Sequence, residues 1–227
     1  MTQSYRDFMS QPVANYVLLT DFFKNTRGGF MFGFPKKDKK EKKVEFIPTQ
    51  EQINSLKLFT YNKDPYRTKV FVHNDEGYKC DVCGTVPTFI YAGPAYCNGD
   101  IKRICAPCIA SGDAAKKLNA TFFDPDACDK VSNPEKLEEL ITKNPGYFAI
   151  YNEKWLAHCD DYCEFLGCLD FEEMDKLGIT EKVSMLLEDN EYGYSLKEIK
   201  KGMAKGIIKL CVFRCLNCNT ILVDMNM

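Results

Sequence analysis

The stretch KCDVCGTVPTFIYAGPAYCNGDIKRICAPCIA, residues 79–110, decides how this chain is interpreted. It contains two Cys-x-x-Cys pairs, Cys80 with Cys83 and Cys105 with Cys108, and 21 residues separate them. Two pairs at this separation are typical of four thiolates around one tetrahedral zinc ion. A glycine follows the first pair, and the second pair opens a predicted helix, whose N-terminus favours thiolates. The order predicts a treble-clef-like finger with a closed, structural zinc site.

The chain has 12 cysteines, which two interpretations can explain. In a secreted protein they would indicate disulfide bonds. The N-terminus has no basic region followed by an apolar run, so no secretory signal is visible and an intracellular, cytoplasmic protein is expected. Redox-active or disulfide-bonded pairs remain the alternative to zinc. Four cysteines without a spacing partner are expected to be buried thiols: Cys97, Cys128, Cys168 and Cys211.

A third Cys-x-x-Cys pair, Cys215 with Cys218, is half of a metal site. The segment EKWLAHCDDYCEFLG, starting at residue 153, is interpreted as a helix, which would place Cys159 and Cys163 one turn apart on the same side. These four cysteines predict a second zinc site, with His158 beside them as a further possible ligand. The alternative is that Cys159 and Cys163 are small buried apolar residues.

The remaining patterns predict an α+β protein, in which small zinc-bound β elements pack with a helical middle region. Short strands are expected at LFTY, TKVFVH and PTFIYAG, between turn signals. Helices are expected at IASGDAAKKLNA, at PEKLEELITKN, and in the region between residues 171 and 204. The chain closes with IIKLCVFR, CLNC and TILVD, which predict a strand, a metal-binding turn and a strand resembling a zinc ribbon.

Residues 1–57 contain no cysteine and are interpreted as an added N-terminal segment before a zinc-binding domain at residues 58–227. Pro12 could start a helix, and Thr49-x-x-Gln52 resembles a capping box. The run Lys36–Lys43 has six lysines and two acids. It is interpreted as a solvated loop, because like charges repel and no aromatic residues are interleaved for stacking on nucleic acid.

The composition excludes several function classes. Lys and Arg number 30 against 32 Asp and Glu, so the net charge of −2 gives no general reason to bind nucleic acid or an anionic membrane. No apolar run approaches the roughly 18 residues of a membrane span. The chain has two histidines, His73 and His158, and no nucleophile, phosphate-loop or dinucleotide motif. A non-enzymatic protein is therefore expected.

Acidic residues outnumber basic residues in one segment of the chain. Between Asp160 and Lys200 there are 12 acidic residues and four lysines. A solvated helix surface explains this pattern, and a negative face that attracts a basic partner is the functional alternative.

The order of motifs FTYNKDP, KCDVCGTVPTFIYAGPAYC, ICAPCIASGDAAKKLNATFFD, NPGY with EKWLAHCDDYCEFLG, and FRCLNC resembles the CbrC family, over about residues 58–227. This largely uncharacterised bacterial family is named for a colicin-tolerance protein. The resemblance implies a cytoplasmic bacterial protein linked to survival of a nuclease bacteriocin, and it implies no reaction and no catalytic residues.

The combined prediction is a non-enzymatic zinc-binding protein that binds and neutralises a basic protein toxin, such as a nuclease, as an immunity or tolerance factor. Nuclease toxins tend to be basic because they bind phosphates, so an acidic face would complement them. The alternative is a zinc-dependent nucleic-acid-binding or regulatory protein, for which the lysine run and the finger-like motifs are the support. The sequence gives no oligomeric state.

Overall fold

The computed structural model describes residues 46–97, 102–149, 153–188 and 193–226. The helix expected after Pro12 and the loop expected at Lys36–Lys43 lie outside these ranges. Within the described ranges, no helix combines the length and the apolar character needed to cross a bilayer.

The described part of the chain is a mixed α+β structure, as the sequence predicts. The helices are α1 (Gln50–Asn54), α2 (Ala106–Ala110), α3 (Asp113–Leu118), α4 (Pro134–Lys143), α5 (Phe171–Lys176), α6 (Thr180–Glu188) and α7 (Leu196–Ala204), with a 3₁₀ turn at Pro125–Ala127. The strands are β1 (Phe71–His73), β2 (Phe89–Tyr91), β3 (Ala157–His158), β4 (Asp161–Tyr162), β5 (Glu164–Leu169), β6 (Lys209–Arg214) and β7 (Ile221–Asn226). They form the antiparallel pairs β1–β2 and β3–β4 and an antiparallel sheet of order β5–β6–β7.

Side-chain caps begin several of the helices where the sequence predicts them. The predicted capping box at Thr49 with Gln52 is present, and a second one is formed by Ser195 with Glu198. The side chain of Asn133 accepts a hydrogen bond from a backbone N–H at the start of α4, immediately before a proline at the first helical position. These contacts satisfy N–H groups that have no partner within the helix, so they fix where the chain turns helical.

Strand β6 separates two hydrophobic cores. Leu210 and Val212 belong to a core shared with α5, α6 and α7, whereas Cys211 and Phe213 belong to a second, larger core. Successive strand residues point to opposite faces, so a central strand covered on both faces is apolar throughout. The sheet therefore lies between the three C-terminal helices and the part of the fold that contains the cysteine pairs.

The larger core is rich in aromatic rings. The rings of Tyr147 and Phe165 stack with centroids 4.1 Å apart, and Trp155 meets Phe165 with centroids 5.9 Å apart. The Trp155 Nε1–H group donates to the backbone oxygen of Cys163 at 3.0 Å, which satisfies the polar atom of a side chain that is fully buried. This packing positions the short hairpin formed by β3 and β4.

The helix expected over residues 153–167 is wrong, and a hairpin with a following strand takes its place. Cys159 and Asp160 have φ values of 55° and 54° and form the two-residue turn between β3 and β4. Two adjacent residues in the left-handed region end a right-handed helix and match the turn that suits a tight hairpin. Gly167, the last residue of the expected helix, lies inside β5 next to a register shift. The strand expected at LFTY is likewise absent, since residues 58–61 form no strand.

Candidate metal centres

The first group of metal-ligating side chains consists of Cys80, Cys83, Cys105 and Cys108, whose Sγ atoms all lie within 4.8 Å of one another. The Sγ atoms of Cys80 and Cys108 are 3.9 Å apart, and those of Cys83 and Cys105 are 3.7 Å apart. A tetrahedral ion with Zn–S bonds of about 2.3 Å separates its sulfur ligands by about 3.8 Å. The spacing therefore fits one tetrahedral ion, and all but Cys83 are buried.

The local backbone explains how the first pair is presented. Cys80 and Cys83 lie in the loop that joins β1 to β2. The Cys80 N–H donates to the Thr85 oxygen at 2.8 Å, and the Gly84 N–H donates to the Cys80 oxygen at 2.8 Å. Gly84 has a φ of 75°, which glycine adopts without the Cβ clash that other residues meet. We call this six-residue loop, residues 80–85, the first knuckle.

The second pair comes from the start of α2, as predicted. Cys105 is the residue before the first helical position, and Cys108 lies within the helix. The Cys105 N–H also donates to the Cys80 Sγ atom at 3.4 Å. The N-terminus of α2 and the first knuckle therefore meet around one point.

A second group combines His158, Cys159, Cys215 and Cys218, again with all ligand atoms within 4.8 Å. The Sγ atoms of Cys159 and Cys218 are 3.7 Å apart, and they lie 3.2 Å and 3.3 Å from the His158 Nδ1 atom. For Zn–N and Zn–S bonds of about 2.0 and 2.3 Å, the corresponding separation is about 3.5 Å. This group also fits one tetrahedral ion, with a donor set of three thiolates and one imidazole.

The C-terminal pair lies in a loop with the same hydrogen bonds as the first knuckle. The Cys215 N–H donates to the Thr220 oxygen at 2.8 Å, and the Asn219 N–H donates to the Cys215 oxygen at 3.1 Å. Asn219 has a φ of 59° at the position that Gly84 occupies in the first knuckle. We call residues 215–220 the second knuckle. CDVCGT and CLNCNT are thus two copies of one local structure that presents two thiols.

Cys163, which the sequence suggests as a ligand, is not brought into the second group. It is fully buried just before β5, and its N–H donates to the backbone oxygen of Leu156 at 3.0 Å. Cys163 is suggested as a ligand because a helix would place it one turn from Cys159. In the hairpin, Cys159 lies in the turn and Cys163 follows β4, so the two side chains are not brought together in one ligand group. The other seven suggested cysteine ligands do fall into the two groups, and His158 completes the second.

Hydrogen bonds that the sequence does not reveal tie the hairpin turn to the start of α4. The Asp160 carboxylate accepts hydrogen bonds from the Ser132 N–H, at 2.7 Å, and from the Ser132 hydroxyl. Lys136 donates to the Asp160 backbone oxygen at 2.9 Å and pairs with the Asp161 carboxylate at 3.1 Å. The turn that carries Cys159 is therefore held from the helix as well as by its own strands.

The environments of the thiols shift their pKa values in opposite directions. Hydrogen bonds with the side chain and backbone of Thr85 lower the pKa of Cys83 to about 6, and Thr220 lowers the pKa of Cys218 to about 6 in the same way. Burial raises the pKa of Cys105 to about 11. Because a metal binds the thiolate, each knuckle supplies one ligand that ionises readily near neutral pH.

The remaining cysteines correct two expectations. Cys168 and Cys211, expected to be thiols, form a disulfide bond between directly opposite positions of β5 and β6. Strand register brings them together, and their separation of 43 residues gives no hint of it. Cys97 and Cys128 are free thiols as expected, but they are only partly buried rather than buried, and the Cys128 thiol donates to the Asp124 oxygen at 3.4 Å.

Comparison with known proteins places this architecture in a family. The family model "Uncharacterised protein family (UPF0167)" matches residues 56–227. UPF0167 protein Mb2317 of Mycobacterium bovis is 30% identical over 181 residues, which cover 76% of this chain and 95% of that protein. UPF0167 protein PA1536 of Pseudomonas aeruginosa is 32% identical over 102 residues, which cover 44% of this chain and 57% of that protein. No solved structure matches significantly. The chain belongs to the uncharacterised family UPF0167.

Proposed function

We propose that this is a non-enzymatic protein with two structural zinc centres, and that it works by binding another protein. The observation that carries the proposal is the pair of four-ligand groups. Structural zinc sites have four protein ligands, whereas catalytic zinc sites leave a position for water or substrate. With four protein ligands on each ion, neither centre would offer a substrate an open coordination position.

Zinc is the metal that suits these ligands. Four thiolates, as in the first group, and three thiolates with one imidazole, as in the second, are the usual ligand sets of structural zinc. We assign the first centre to the treble-clef type because its ligands come first from a knuckle and then from the start of a helix. The second centre, which joins a knuckle to a hairpin turn, is closer to a zinc ribbon.

For the partner we propose a basic protein toxin, which this protein would neutralise as an immunity or tolerance factor. The motif resemblance to the CbrC family supports this assignment. So does the surface of α5 and α6, where Glu172, Asp175, Glu181 and Glu188 are exposed. Acidic side chains of this kind raise the association rate of a basic partner.

Two exposed apolar side chains on α6 add to the argument. Met185 is 65% exposed and Leu186 is 46% exposed, on a helix whose buried residues are Val183 and Leu187. Protein interfaces commonly combine an apolar centre with a polar rim. Helix α7 differs from α5 and α6 in its surface charge, because Lys197, Lys200 and Lys201 are exposed there. The proposed binding face is therefore α5 with α6, excluding α7.

We place the protein in the cytoplasm, where a reducing environment preserves thiolate ligands. A disulfide such as Cys168–Cys211 is uncommon in that compartment. One of its cysteines is buried and the other is half-buried, which restricts access by cellular reductants.

The test uses a catalytically inactive nuclease-toxin domain encoded beside the gene in its own genome. We expect a complex whose association rate falls as salt rises, because screening shortens to about 8 Å at physiological ionic strength. Glu172→Lys with Glu181→Lys should slow association, and the matched control Lys197→Glu with Lys201→Glu on α7 should not. Survival of toxin exposure without a complex would reject the binding model, and tight duplex-DNA binding with steep salt dependence would favour the nucleic-acid alternative.

A further inference from the structure

We propose that the second metal centre is a releasable zinc site: a hydroperoxide oxidises Cys159 and Cys218 to a disulfide and frees the ion, while the first centre keeps its metal. This inference rests on the proposed zinc occupancy of both centres. It adds that the two centres respond differently to the same oxidant, and it assigns the oxidisable pair.

Exposure of the ligands separates the two centres. In the second group Cys159 and Cys218 are both exposed, and Cys215 is buried. In the first group Cys83 alone is exposed, and its three partners, including Cys105 at 3.7 Å, are buried. Oxidation of a cysteine follows its thiolate character and its accessibility. Zinc keeps all the ligands as thiolates, so accessibility decides which centre reacts.

The positions of the two exposed thiols also favour a bond between them. Their Sγ atoms are 3.7 Å apart, and a disulfide requires about 2.05 Å. Cys159 lies in the two-residue turn of the β3–β4 hairpin, and Cys218 lies in the second knuckle, between β6 and β7. Both sulfurs are thus carried by surface turns, where a small shift leaves the buried strands in place.

The chemistry balances with a hydroperoxide as the only added reactant. One thiolate attacks a peroxide oxygen, the O–O bond breaks, a sulfenic acid forms, and the leaving oxygen takes a proton. The other thiolate then attacks the sulfenic sulfur, an S–S bond forms, and hydroxide leaves and is protonated to water. Two sulfurs lose two electrons in total and the peroxide gains them. The zinc ion loses two of its four ligands and dissociates.

The fold around the second centre has supports that do not depend on the metal. Asp160, next to Cys159, is bound by Ser132, and Lys136 donates to its backbone oxygen. Trp155 donates to the backbone oxygen of Cys163 on the other side of the hairpin. Release of this zinc should therefore leave the rest of the protein folded, as a reversible response requires.

The test treats the full chain, purified with both zinc ions, with hydrogen peroxide. A chromogenic zinc indicator should report release of one equivalent per chain, and peptide mapping should find a Cys159–Cys218 disulfide beside the Cys168–Cys211 bond. Dithiothreitol with zinc should restore the second equivalent, and far-ultraviolet circular dichroism should not change. The Cys159→Ser variant, which lacks a ligand of the second centre, should carry one zinc ion before treatment and keep it at the peroxide dose that empties the wild-type second site.

A variant outside both groups of ligands serves as the matched control. Cys97→Ser removes a partly exposed thiol outside both groups, so it should release one equivalent as the wild type does. Release of both ions at one rate, or mapping of the new bond to other cysteines, would overturn this inference and leave the proposed function standing. A folded protein that contains no zinc before treatment would overturn both.

Discussion

The Thr220 Oγ1 atom lies 3.1 Å from the Cys218 Sγ atom, and Thr85 stands in the same relation to Cys83 at 3.0 Å. A hydroxyl that donates to a thiolate stabilises the ionised form, and with the threonine backbone it lowers the pKa of each cysteine to about 6. Each knuckle thus has its own threonine, which favours the thiolate form of one proposed metal ligand.

A pH prediction follows from this threonine. The folded-state pKa is below the ordinary thiol value of about 8.5, so the thiolate stabilisation is complete above that value and is lost as pH falls through about 6. The Thr220→Val variant should therefore lose its second zinc at a higher pH than the wild type. Zinc retention against a competing chelator over a falling pH series measures this shift. Thr142→Val, which removes an exposed hydroxyl on α4, is the control and should behave as the wild type.

Loss of the first centre should unfold the protein. Apparent binding energies of structural zinc are about 10–16 kcal/mol, which equals or exceeds the about 5–15 kcal/mol that separates native from unfolded chains. Cys80 is buried in the larger core, so Cys80→Ser should lose one zinc and most of its native circular dichroism signal. A Cys80→Ser protein that keeps its wild-type melting temperature would show that this group is not a structural centre.

Two variants, at His158 and at Cys163, distinguish which residue is the fourth ligand of the second centre. His158→Ala removes an imidazole from the group and should lower zinc content by about one equivalent, because a ligand is lost. Cys163→Ala removes a buried thiol outside the group, so it should keep both ions and cost only about 1 kcal/mol of stability for the small cavity. Elemental analysis distinguishes them. The opposite pattern would return Cys163 to the centre and exclude His158.

The Cys168–Cys211 bond should stabilise the sheet. In the chain-entropy model, a crosslink across 43 residues lowers the free energy of the native state relative to the unfolded state by about 4 kcal/mol. Urea unfolding should therefore show a loss of about 2–4 kcal/mol in the variant Cys168→Ala with Cys211→Ala. Intact mass under non-reducing, denaturing conditions checks the bond itself. Two additional free thiols in protein purified from the cytoplasm would contradict it.

The sequence was sufficient to predict the structure where the residues that determine it are close together in the chain. Metal-ligand spacing identified the first group, and the Thr49 capping box and the PEKLEELITKN pattern marked the starts of α1 and α4 correctly. Strands β6 and β7 also followed from short apolar runs around CLNC.

Prediction from the sequence failed where contacts between residues far apart in the chain override the local sequence pattern. Residues 153–167 carry helical periodicity, yet Trp155 is buried among aromatic rings and the Asp160 carboxylate is bound by Ser132, which favour a hairpin. Sequence spacing could not show that β5 and β6 bring Cys168 opposite Cys211. The adjacent pair His158 and Cys159, at a hairpin turn facing a Cys-x-x-Cys knuckle, is the signal that could have found the second donor set.

The most direct test of two metal centres is native mass spectrometry of the full chain, purified without added metal and without chelator. The account predicts a dominant species carrying two zinc ions per chain, which becomes a one-zinc species in Cys218→Ser, because that variant loses a ligand of the second group alone. A folded wild-type protein whose mass corresponds to the metal-free chain, with the thiols of both groups open to alkylation, would contradict it.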